Sequence, residues 1–274
     1  LTVGGNLAAT TDANNGLINL GTLAVDGTVA LTTNGSGNAT AVNDAGLTFA
    51  ASTVGGNLAA TATTGNMTDS GALTIAGTSS FTTSADNADI TLNNPNAFTG
   101  AVALNTTGSS GNATIDNGTT ALILATSSVG GDLRLTSGNT SGITDSGTIT
   151  VGGNLAATTD ANNGLINMDT LTVDGTVALT TNGSGNATID NGTTALNIAA
   201  SSVGGNLTLT SGNASGITDS GTVTVGGNLA ATTDANNGVI NMGTLAVDGT
   251  VALTTNGSGN ATAVNDAGLT FAAS

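Results

Sequence analysis

The motif VGGNLAATT occupies residues 3–11 and returns unchanged at residues 151–159 and 225–233. Close variants are VGGNLAATA at residues 54–62, VGGDLRLTS at residues 129–137 and VGGNLTLTS at residues 203–211. Self-similarity at a period of roughly 20–50 residues is typical of repeat architectures, in which each unit buries its apolar face against its neighbours. The motif therefore predicts a repeat protein.

Each unit is marked by an apolar residue followed two places later by a glycine. The intervals between successive markers are of two kinds, and two short intervals with one long interval make a super-repeat of about 74 residues. Copies lie at 54–128, 129–202 and 203–274, after a partial copy at 1–53. We expect residues 1–274 to form one continuous array, excerpted from a longer repeat protein. The marker glycines are Gly5, Gly27, Gly56, Gly77, Gly100, Gly131, Gly153, Gly175, Gly205, Gly227 and Gly249.

A short unit of about 22 residues cannot hold a βαβ crossover, which takes roughly 30 residues or more. Apolar residues two and four places after the marker glycine, such as Leu7 and Ala9, have the period of two that places them on one face of a strand. We predict an all-β, parallel β-helix of about 11 coils, in which 22-residue coils alternate with expanded coils of about 30. The coil should be right-handed, as parallel crossovers nearly always are. A leucine-rich-repeat horseshoe is the alternative, but its L-x-x-L-x-L pattern is absent.

Two further strands per coil are predicted from apolar columns. The second strand is marked by Leu17, Met67, Ile143, Leu165, Ile217 and Val239, and the third by Leu23, Leu73, Ile149, Leu171, Val223 and Leu245. Glycine and asparagine pairs between the strands accept positive φ at little cost, which favours tight corners. If the marker glycines occupy such corners, replacing Gly153 by Val should destabilise the coil, because a β-branched residue tolerates positive φ poorly.

Composition excludes several functions. The chain has one cation, 17 acidic residues and a net charge of −16, whereas phosphate binding needs clustered Lys and Arg. The same charge disfavours anionic lipid surfaces, and no apolar run is long enough to span a bilayer. Without His or Lys to act as a base, Ser and Thr nucleophiles are not activated, so we expect no enzyme. The neighbouring carboxylates of Asp86 and Asp89 are better explained as turn formers than as a catalytic pair.

Candidate binding residues lie in the corners. The sequence DANNG supplies Asp and Asn oxygens of the kind that bind calcium, but it lacks the terminal bidentate acid of a calcium loop. Hydrogen bonding within the corner is the alternative role. A second polar column, Asn19, Asp69, Asp145, Asn167, Asp219 and Asn241, could relieve carboxylate repulsion by alternating with neutral amides. No cofactor is expected. The calcium candidates are Asp12, Asn14, Asp160, Asn162, Asp234 and Asn236.

Outward threonines could also form an ice-binding surface. Thr208 and Thr210 make one Thr-x-Thr pair, but the equivalent coils carry Ala8 and Ala30 in place of the first threonine, so the row is interrupted. Threonine is favoured on exposed strands for other reasons.

Three stretches resemble the repeats of filamentous-haemagglutinin-type exoproteins and related giant bacterial adhesins: VGGNLTLTSGN at residues 203–213, VDGTVALTTNGSGN at residues 25–38, and TITVGGNL at residues 148–155. The resemblance covers essentially the whole chain. It implies a secreted or cell-surface fibre that serves adhesion or matrix building.

Together these features favour an extracellular structural stalk that gives length, stiffness and self-association, either end to end or lateral. The alternative is an adhesin module that binds a host, cell-surface or glycan receptor. Its receptor-binding segment would be TSADNADITLNNPNA at residues 83–97, which departs from the repeat and contains Pro95.

Circular dichroism of the chain should show strand and almost no helix, because Val, Thr, Gly and Asn replace the helix formers Glu, Lys and Gln. A substantial helical signal would contradict the predicted fold.

Overall fold

The computed structural model describes residues 1–272, which form strands and turns without any helix. Within that range, accordingly, no helix is long and apolar enough to cross a membrane. The chain divides into two compact units, Leu1–Ser137 and Gly138–Ser274, and each is built in the same way.

The first unit contains strands β1 to β18. Their bounds are β1 Thr2–Val3, β2 Leu7–Thr10, β3 Ile18–Val25, β4 Thr28–Thr32, β5 Ala39–Asn43, β6 Leu47–Phe49, β7 Ser52–Val54, β8 Leu58–Ala62, β9 Met67–Asp69, β10 Leu73–Ile75, β11 Ser79–Asp86, β12 Ile90–Leu92, β13 Ala97–Phe98, β14 Val102–Thr107, β15 Ala113–Asp116, β16 Leu122–Leu124, β17 Ser127–Val129 and β18 Leu133–Ser137.

The second unit contains strands β19 to β35. Their bounds are β19 Ile143–Asp145, β20 Ile149–Val151, β21 Leu155–Asn162, β22 Ile166–Met168, β23 Leu171–Val173, β24 Thr176–Asn182, β25 Ala187–Asp190, β26 Leu196–Ile198, β27 Ser201–Val203, β28 Leu207–Ser211, β29 Ile217–Asp219, β30 Val223–Val225, β31 Leu229–Asn236, β32 Ile240–Val247, β33 Thr250–Asn256, β34 Ala261–Asn265 and β35 Thr270–Phe271.

In each unit the chain winds into stacked coils whose strands pair in parallel. Successive partners in one sheet of the first unit are Ile18, Ala39, Leu58, Ser79, Val102 and Leu124. In the second unit they are Ile143, Ile166, Ala187, Leu207, Leu229, Val251 and Phe271. Each step from one partner to the next is one coil. The prediction of a parallel β-helix is confirmed, with about 12 turns of ~22-residue coils over the described residues.

The interior of the coils is apolar. The two inward columns after the marker glycine are buried as predicted from Val29 to Val251 and from Leu31 to Ala231, whereas Leu7, Ala9 and Leu253 are half-buried. Leu58, for example, is 1% exposed and Phe81 is fully buried. The third-strand column is also buried, from Leu23 to Leu245. Where Ser79 leaves a smaller side chain, the ring of Phe81 packs edge-on against Phe49 and Phe98, with ring centroids 6.5 and 5.4 Å away. The aromatic rings restore the core volume that the serine removes.

The structure differs from the prediction in the long intervals between markers, which are not single expanded coils. Val29 pairs with Phe49 of the following coil, whereas Leu58 of the next motif pairs with Ala39 in the facing sheet. The extra residues of the long interval form β5 and β6, whose inward side chains are buried. They therefore add a half-coil that contributes to the core.

One consequence is that the super-repeat spans three and a half coils. In the first unit, Leu58 reaches Leu124 after three coils, and Leu133, the counterpart of Leu58, follows in the opposite sheet. In the second unit, Leu155 reaches Asp219 after three coils, and its counterpart Leu229 again lies in the opposite sheet. Motifs that are one super-repeat apart thus lie in opposite sheets within each unit.

The predicted second-strand column is displaced by one residue in the coils that contain DANNG. Leu17 is 67% exposed, and the neighbouring Ile18 points inward at 6% exposure. Likewise Ile166 and Ile240 are buried, paired with Ile143 and Ile217. The reason is corner geometry: a left-handed glycine directly precedes Ile143, whereas in the DANNG corner the left-handed Asn163 lies three positions before Ile166.

The marker glycines, including Gly153, are not left-handed, so the predicted reason for the Gly153→Val effect is wrong. Their role is close stacking. The Gly77 amide donates to the Gly56 carbonyl at 3.0 Å, and a Cβ on Gly77 would lie 2.6 Å from the carbonyl carbon of Gly56. The Gly175 amide donates in the same way to the Gly153 carbonyl at 3.0 Å. These glycines form a ladder in which a side chain on one coil would collide with the backbone of the previous coil.

Replacing Gly77 by Ala should lower the free energy of unfolding by about 1–3 kcal/mol, because the new methyl group overpacks against rigid backbone. Gly243→Ala is the matched control, since a Cβ there meets nothing within 4 Å. Chemical denaturation of the two variants measures the difference. Equal stability of the two variants would contradict the steric role of the ladder.

Candidate functional site

The calcium candidates lie at exposed corners where the chain passes from one sheet to the other. In the first corner the carbonyl oxygen of Asp12 accepts a bond from Asn34 Nδ2 at 3.0 Å, and the Asp12 carboxylate faces solvent. The corners at Asp160 and Asp234 repeat this bond, with Nδ2 of Asn182 and Asn256 at 3.3 and 3.1 Å. Each DANNG sequence therefore supplies a single carboxylate to its corner.

The amide oxygens of Asn14, Asn162 and Asn236 pack against a left-handed glycine of the following coil. A Cβ built on Gly35 would lie 2.3 Å from Asn14 Oδ1, and equivalent contacts occur at Gly183 and Gly257. Over residues 1–272, no group of three or more acidic, His or Cys side chains is placed to hold a metal ion. Calcium binding at these corners stays a prediction from the sequence pattern.

Three aspartates of the second polar column bind backbone amides of the next coil. Asp219 accepts from the amides of Gly243 and Thr244 at 2.8 and 2.7 Å, and Asp145 accepts from the amide of Thr170 at 2.9 Å. Asp69 is 9% exposed and makes the same kind of contact. Backbone amides stabilise a carboxylate, so these residues act as ties between coils. The asparagines of the column, Asn19, Asn167 and Asn241, lie on β3, β22 and β32.

A further ladder of polar side chains, which the sequence reasoning missed, runs along one corner of the first unit. Asn66 Oδ1 accepts from the Asp89 amide at 2.9 Å, Asp89 Oδ1 accepts from the Asn112 amide at 2.7 Å, and Asn112 Oδ1 accepts from the Asp132 amide at 2.8 Å. Amide and carboxylate alternate, which separates like charges along the stack. The predicted alternation of Asn and Asp thus occurs, but in a different column. In the second unit the equivalent ladder, at Asn186, Asn206, Asn228 and Thr250, is uncharged.

Buried asparagines replace backbone pairing where the half-coils are inserted. The Asn117 side chain is fully buried; its Oδ1 accepts from the Phe98 amide at 2.7 Å, and its Nδ2 donates to the Ala121 carbonyl at 2.8 Å and to the Phe98 carbonyl at 3.1 Å. Asn43 and Asn191 bind Val25 and Val173 in the same manner. The side-chain amide mimics a peptide group, so the marker residue keeps a hydrogen-bonded partner on the next coil. The signal was available in the sequence, since each of these asparagines follows a long-interval marker at a nearly constant distance along the chain.

The segment 83–97 forms part of a regular coil. Ile90 pairs with Met67 on one side and Ala113 on the other, and all three side chains are buried. The NNPN turn that contains Pro95 is held by Asp69, whose carboxylate accepts from Nδ2 of Asn94 and of Asn96 at 3.0 and 2.9 Å. The departure from the repeat sequence therefore produces a local polar network and no inserted loop.

The two aspartates considered as a catalytic pair, Asp86 and Asp89, make different hydrogen bonds. Asp89 belongs to the Asn66 ladder, and the nearby Asp86 accepts a bond from the Asn87 side chain at 3.2 Å. Arg134 is exposed on β18, where it is paired in register with Thr114.

Stacked threonines form two outward columns in the first unit. One column is Thr28, Thr48, Thr68, Thr91 and Thr114, and it ends at Arg134. The other is Thr10, Thr32, Thr53 and Thr74. In the first column the hydroxyls of Thr48 and Thr68 are 3.0 Å apart and hydrogen bonded. Sequence reasoning missed the first column because it did not recognise the half-coil strand β6, which places Thr48 between Thr28 and Thr68.

The comparison with protein families identifies three matching segments. Residues 36–105, 110–169 and 184–241 match a model described as repeats of unknown function (DUF5649). The segments begin at 36, 110 and 184, and so recur with the period of the super-repeat. No curated protein and no solved structure matches the chain.

Replacing Asn117 by Asp should destabilise the chain by about 3 kcal/mol or more, since a buried carboxylate would face two carbonyl oxygens without a proton to donate. At acid pH the protonated carboxyl can donate one bond, so the difference from the unmodified chain should become smaller. Asn57→Asp is the control, because it makes the same chemical change at an exposed position. Asn57 Oδ1 accepts from the Thr78 amide, and a carboxylate oxygen can accept the same bond. This variant should therefore alter the free energy of unfolding by about 0.5 kcal/mol or less. Urea denaturation at two pH values tests both variants, and equal costs for the two would exclude the pairing role of Asn117.

Proposed function

The chain belongs to the DUF5649 repeat family, and on that premise we propose that it is a structural stalk or fibre of a large bacterial surface or secreted protein. The resemblance to filamentous-haemagglutinin-type repeats supports the extracellular location. In this role the chain provides length and stiffness, and it associates with further copies of itself end to end or laterally.

The proposal rests on one observation: corresponding motifs of successive super-repeats lie in opposite sheets. Leu58 and its counterpart Leu133 occupy opposite sheets in the first unit and are equally buried, at 1% exposure each. Leu155 and Leu229 do the same in the second unit. Because the two sheets accept the same inward residues, a copied super-repeat extends the stack without needing a new core. Length can therefore grow by duplication alone, as a spacer requires.

Stiffness follows from the direction of the hydrogen bonds. Within each unit, backbone bonds join successive coils, and side chains such as Asp219 and Asn117 add bonds in the same direction. Bending a coil away from its neighbour would break several of these bonds together. A stack tied in this way resists both bending and extension.

The surface suits a spacer. Uncharged threonine columns face outward in the first unit, and they offer a flat, repetitive face for lateral contact with another copy. A groove of about 520 Å³ in the second unit is lined by polar residues such as Thr140, Thr144 and Asn167 together with the apolar Leu165 and Ile166, and none of its lining residues is charged.

Deleting residues 129–202 tests the spacer. The deletion joins Ser128 to Val203, so that the motif VGGNLTLTS takes the place of VGGDLRLTS with the same buried residues, and a folded particle should remain. Removing three and a half coils at a strand spacing of about 4.8 Å should shorten it by about 17 Å, which X-ray scattering can measure. Deleting residues 129–192 is the control: it removes close to three coils but joins Ser128 to Thr193 out of register, and it should lower the melting temperature. An unfolded product from the first deletion, or one of unchanged length, would refute the spacer.

Replacing the segment 83–97 by the equivalent segment of another coil distinguishes the adhesin alternative from the spacer. Residues 83–97 can be replaced by the sequence of residues 159–172, which is one residue shorter and matches them at three buried positions: Thr83 and Thr159, Ile90 and Ile166, and Leu92 and Met168. For a spacer, the exchanged chain should behave as the original in cell and glycan binding. Loss of a saturable binding signal with the fold intact would instead assign receptor binding to this segment.

A further inference from the structure

The sequence contains eight Asn-Gly dipeptides, and the structure places them in three environments. Asn-Gly is the dipeptide most prone to deamidation in flexible peptides, since glycine leaves its amide nitrogen unhindered. Differences in deamidation rate between identical dipeptides of one chain therefore reflect the structure around each of them. The pairs begin at Asn15, Asn34, Asn117, Asn163, Asn182, Asn191, Asn237 and Asn256.

The first environment is buried. Asn117 and Asn191 are fully buried, and their amides are held by backbone groups of neighbouring segments. The amide of the following glycine donates to the carboxylate of the preceding aspartate, at 2.8 Å for Gly118 and 2.9 Å for Gly192. Both reacting groups are thus engaged elsewhere.

The second environment is the DANNG corner. The amide of Gly164 donates to the Ala161 carbonyl at 3.0 Å, and Asn163 Oδ1 accepts from both the amide and the hydroxyl of Ser184 at 2.8 Å. The pairs at Asn15 and Asn237 have the same bonds. These side chains are exposed but are fixed by the next coil.

The third environment is the NGSGN corner at Asn34, Asn182 and Asn256. Both residues of each pair are exposed, and the side chain is held by a single Nδ2 bond to an aspartate carbonyl. At Asn182 the amide of Gly183 donates to Oδ1 of the same asparagine at 2.8 Å. Since a C=O bond is about 1.2 Å long, the nitrogen lies within about 4 Å of Cγ, close to the separation of a near-attack arrangement.

We propose that Asn182, together with its counterparts Asn34 and Asn256, is a site of spontaneous deamidation. The Gly183 nitrogen loses its proton to a base in solvent and attacks Cγ, forming a C–N bond as ammonia leaves. The five-membered succinimide that results is opened by water to aspartate or isoaspartate. The overall change replaces the side-chain amide by a carboxyl group, consumes one water and releases one ammonia, without oxidation or reduction.

The reaction would alter the joint between coils. The new carboxylate has no proton to donate to the Asp160 carbonyl, so the Asn182 Nδ2 bond is lost. It also adds negative charge to a chain of net charge −16. An isoaspartate further inserts one carbon into the backbone at the end of β24. Ageing would thus act on a set of corners that recurs along the repeats and leave the buried Asn117 and Asn191 intact.

Incubation of the folded chain at mildly alkaline pH, followed by peptide mass mapping, tests the assignment. Cleavage should use a non-specific protease, because Arg134 is the only tryptic site and cleavage at aspartate would give identical peptides around Asn34 and Asn256. The peptides that carry these two residues must reach Leu20 and Met242, where the two copies differ. The same incubation in denaturant gives the reference rates of deamidation for the unfolded chain. Asn182→Ser is the control variant that removes one site.

In the folded chain, Asn34, Asn182 and Asn256 should deamidate faster than Asn117 and Asn191 by on the order of tenfold or more, since a buried pair reacts only when its coil opens. The DANNG pairs should be slower than the NGSGN pairs. In denaturant the eight rates should converge, and Asn182→Ser should abolish only the signal from that corner. Equal rates in the folded chain would overturn the proposal, and so would the same rank order in denaturant.

Discussion

Parallel stacking places each residue on a counterpart in the next coil, about 4.8 Å away, and the rest of the structure depends on this constraint. A residue must tolerate a neighbour of its own kind above and below. Glycine stacks on glycine at Gly56 and Gly77, threonine on threonine at Thr48 and Thr68, and asparagine on asparagine at Asn206 and Asn228. Columns of like charge would repel. The small number of charged residues and the intervening amides between aspartates follow from that repulsion.

The half-coil in each super-repeat decides how the motifs are distributed between the two sheets. A repeat of whole coils would return each motif to the same sheet, whereas a repeat of three and a half coils presents the same motif to both sheets in turn. Leu155 and Leu229 illustrate this alternation within one unit. The buried side chains of Asn43, Asn117 and Asn191 accompany this shift, because each accepts the backbone amide of a marker residue in place of a peptide carbonyl.

Asparagine side chains have three different roles in this structure. Buried asparagines act as pieces of backbone, corner asparagines tie one coil to the next, and the exposed asparagine of NGSGN is held most loosely. A β-helix built with so few charged residues relies on amides for polar contacts. Asparagine therefore contributes to stability and is also the site of the proposed chemical ageing, and the structure around each copy decides which effect dominates.

The sequence alone determined the class of fold and the inward columns at Leu58 and Phe81, because a period of two beside regularly spaced glycines has few other solutions. It determined the super-repeat for the same reason. Only the tertiary structure decided how the long intervals are wound, the inward direction of Ile18 in place of Leu17, and the steric role of Gly77. It also decided which corner oxygens bind backbone amides and which pack against glycine, as Asp219 and Asn14 do. These features depend on which residue of one coil lies above which residue of the previous coil. Repeat spacing cannot give that register when a half-coil is inserted.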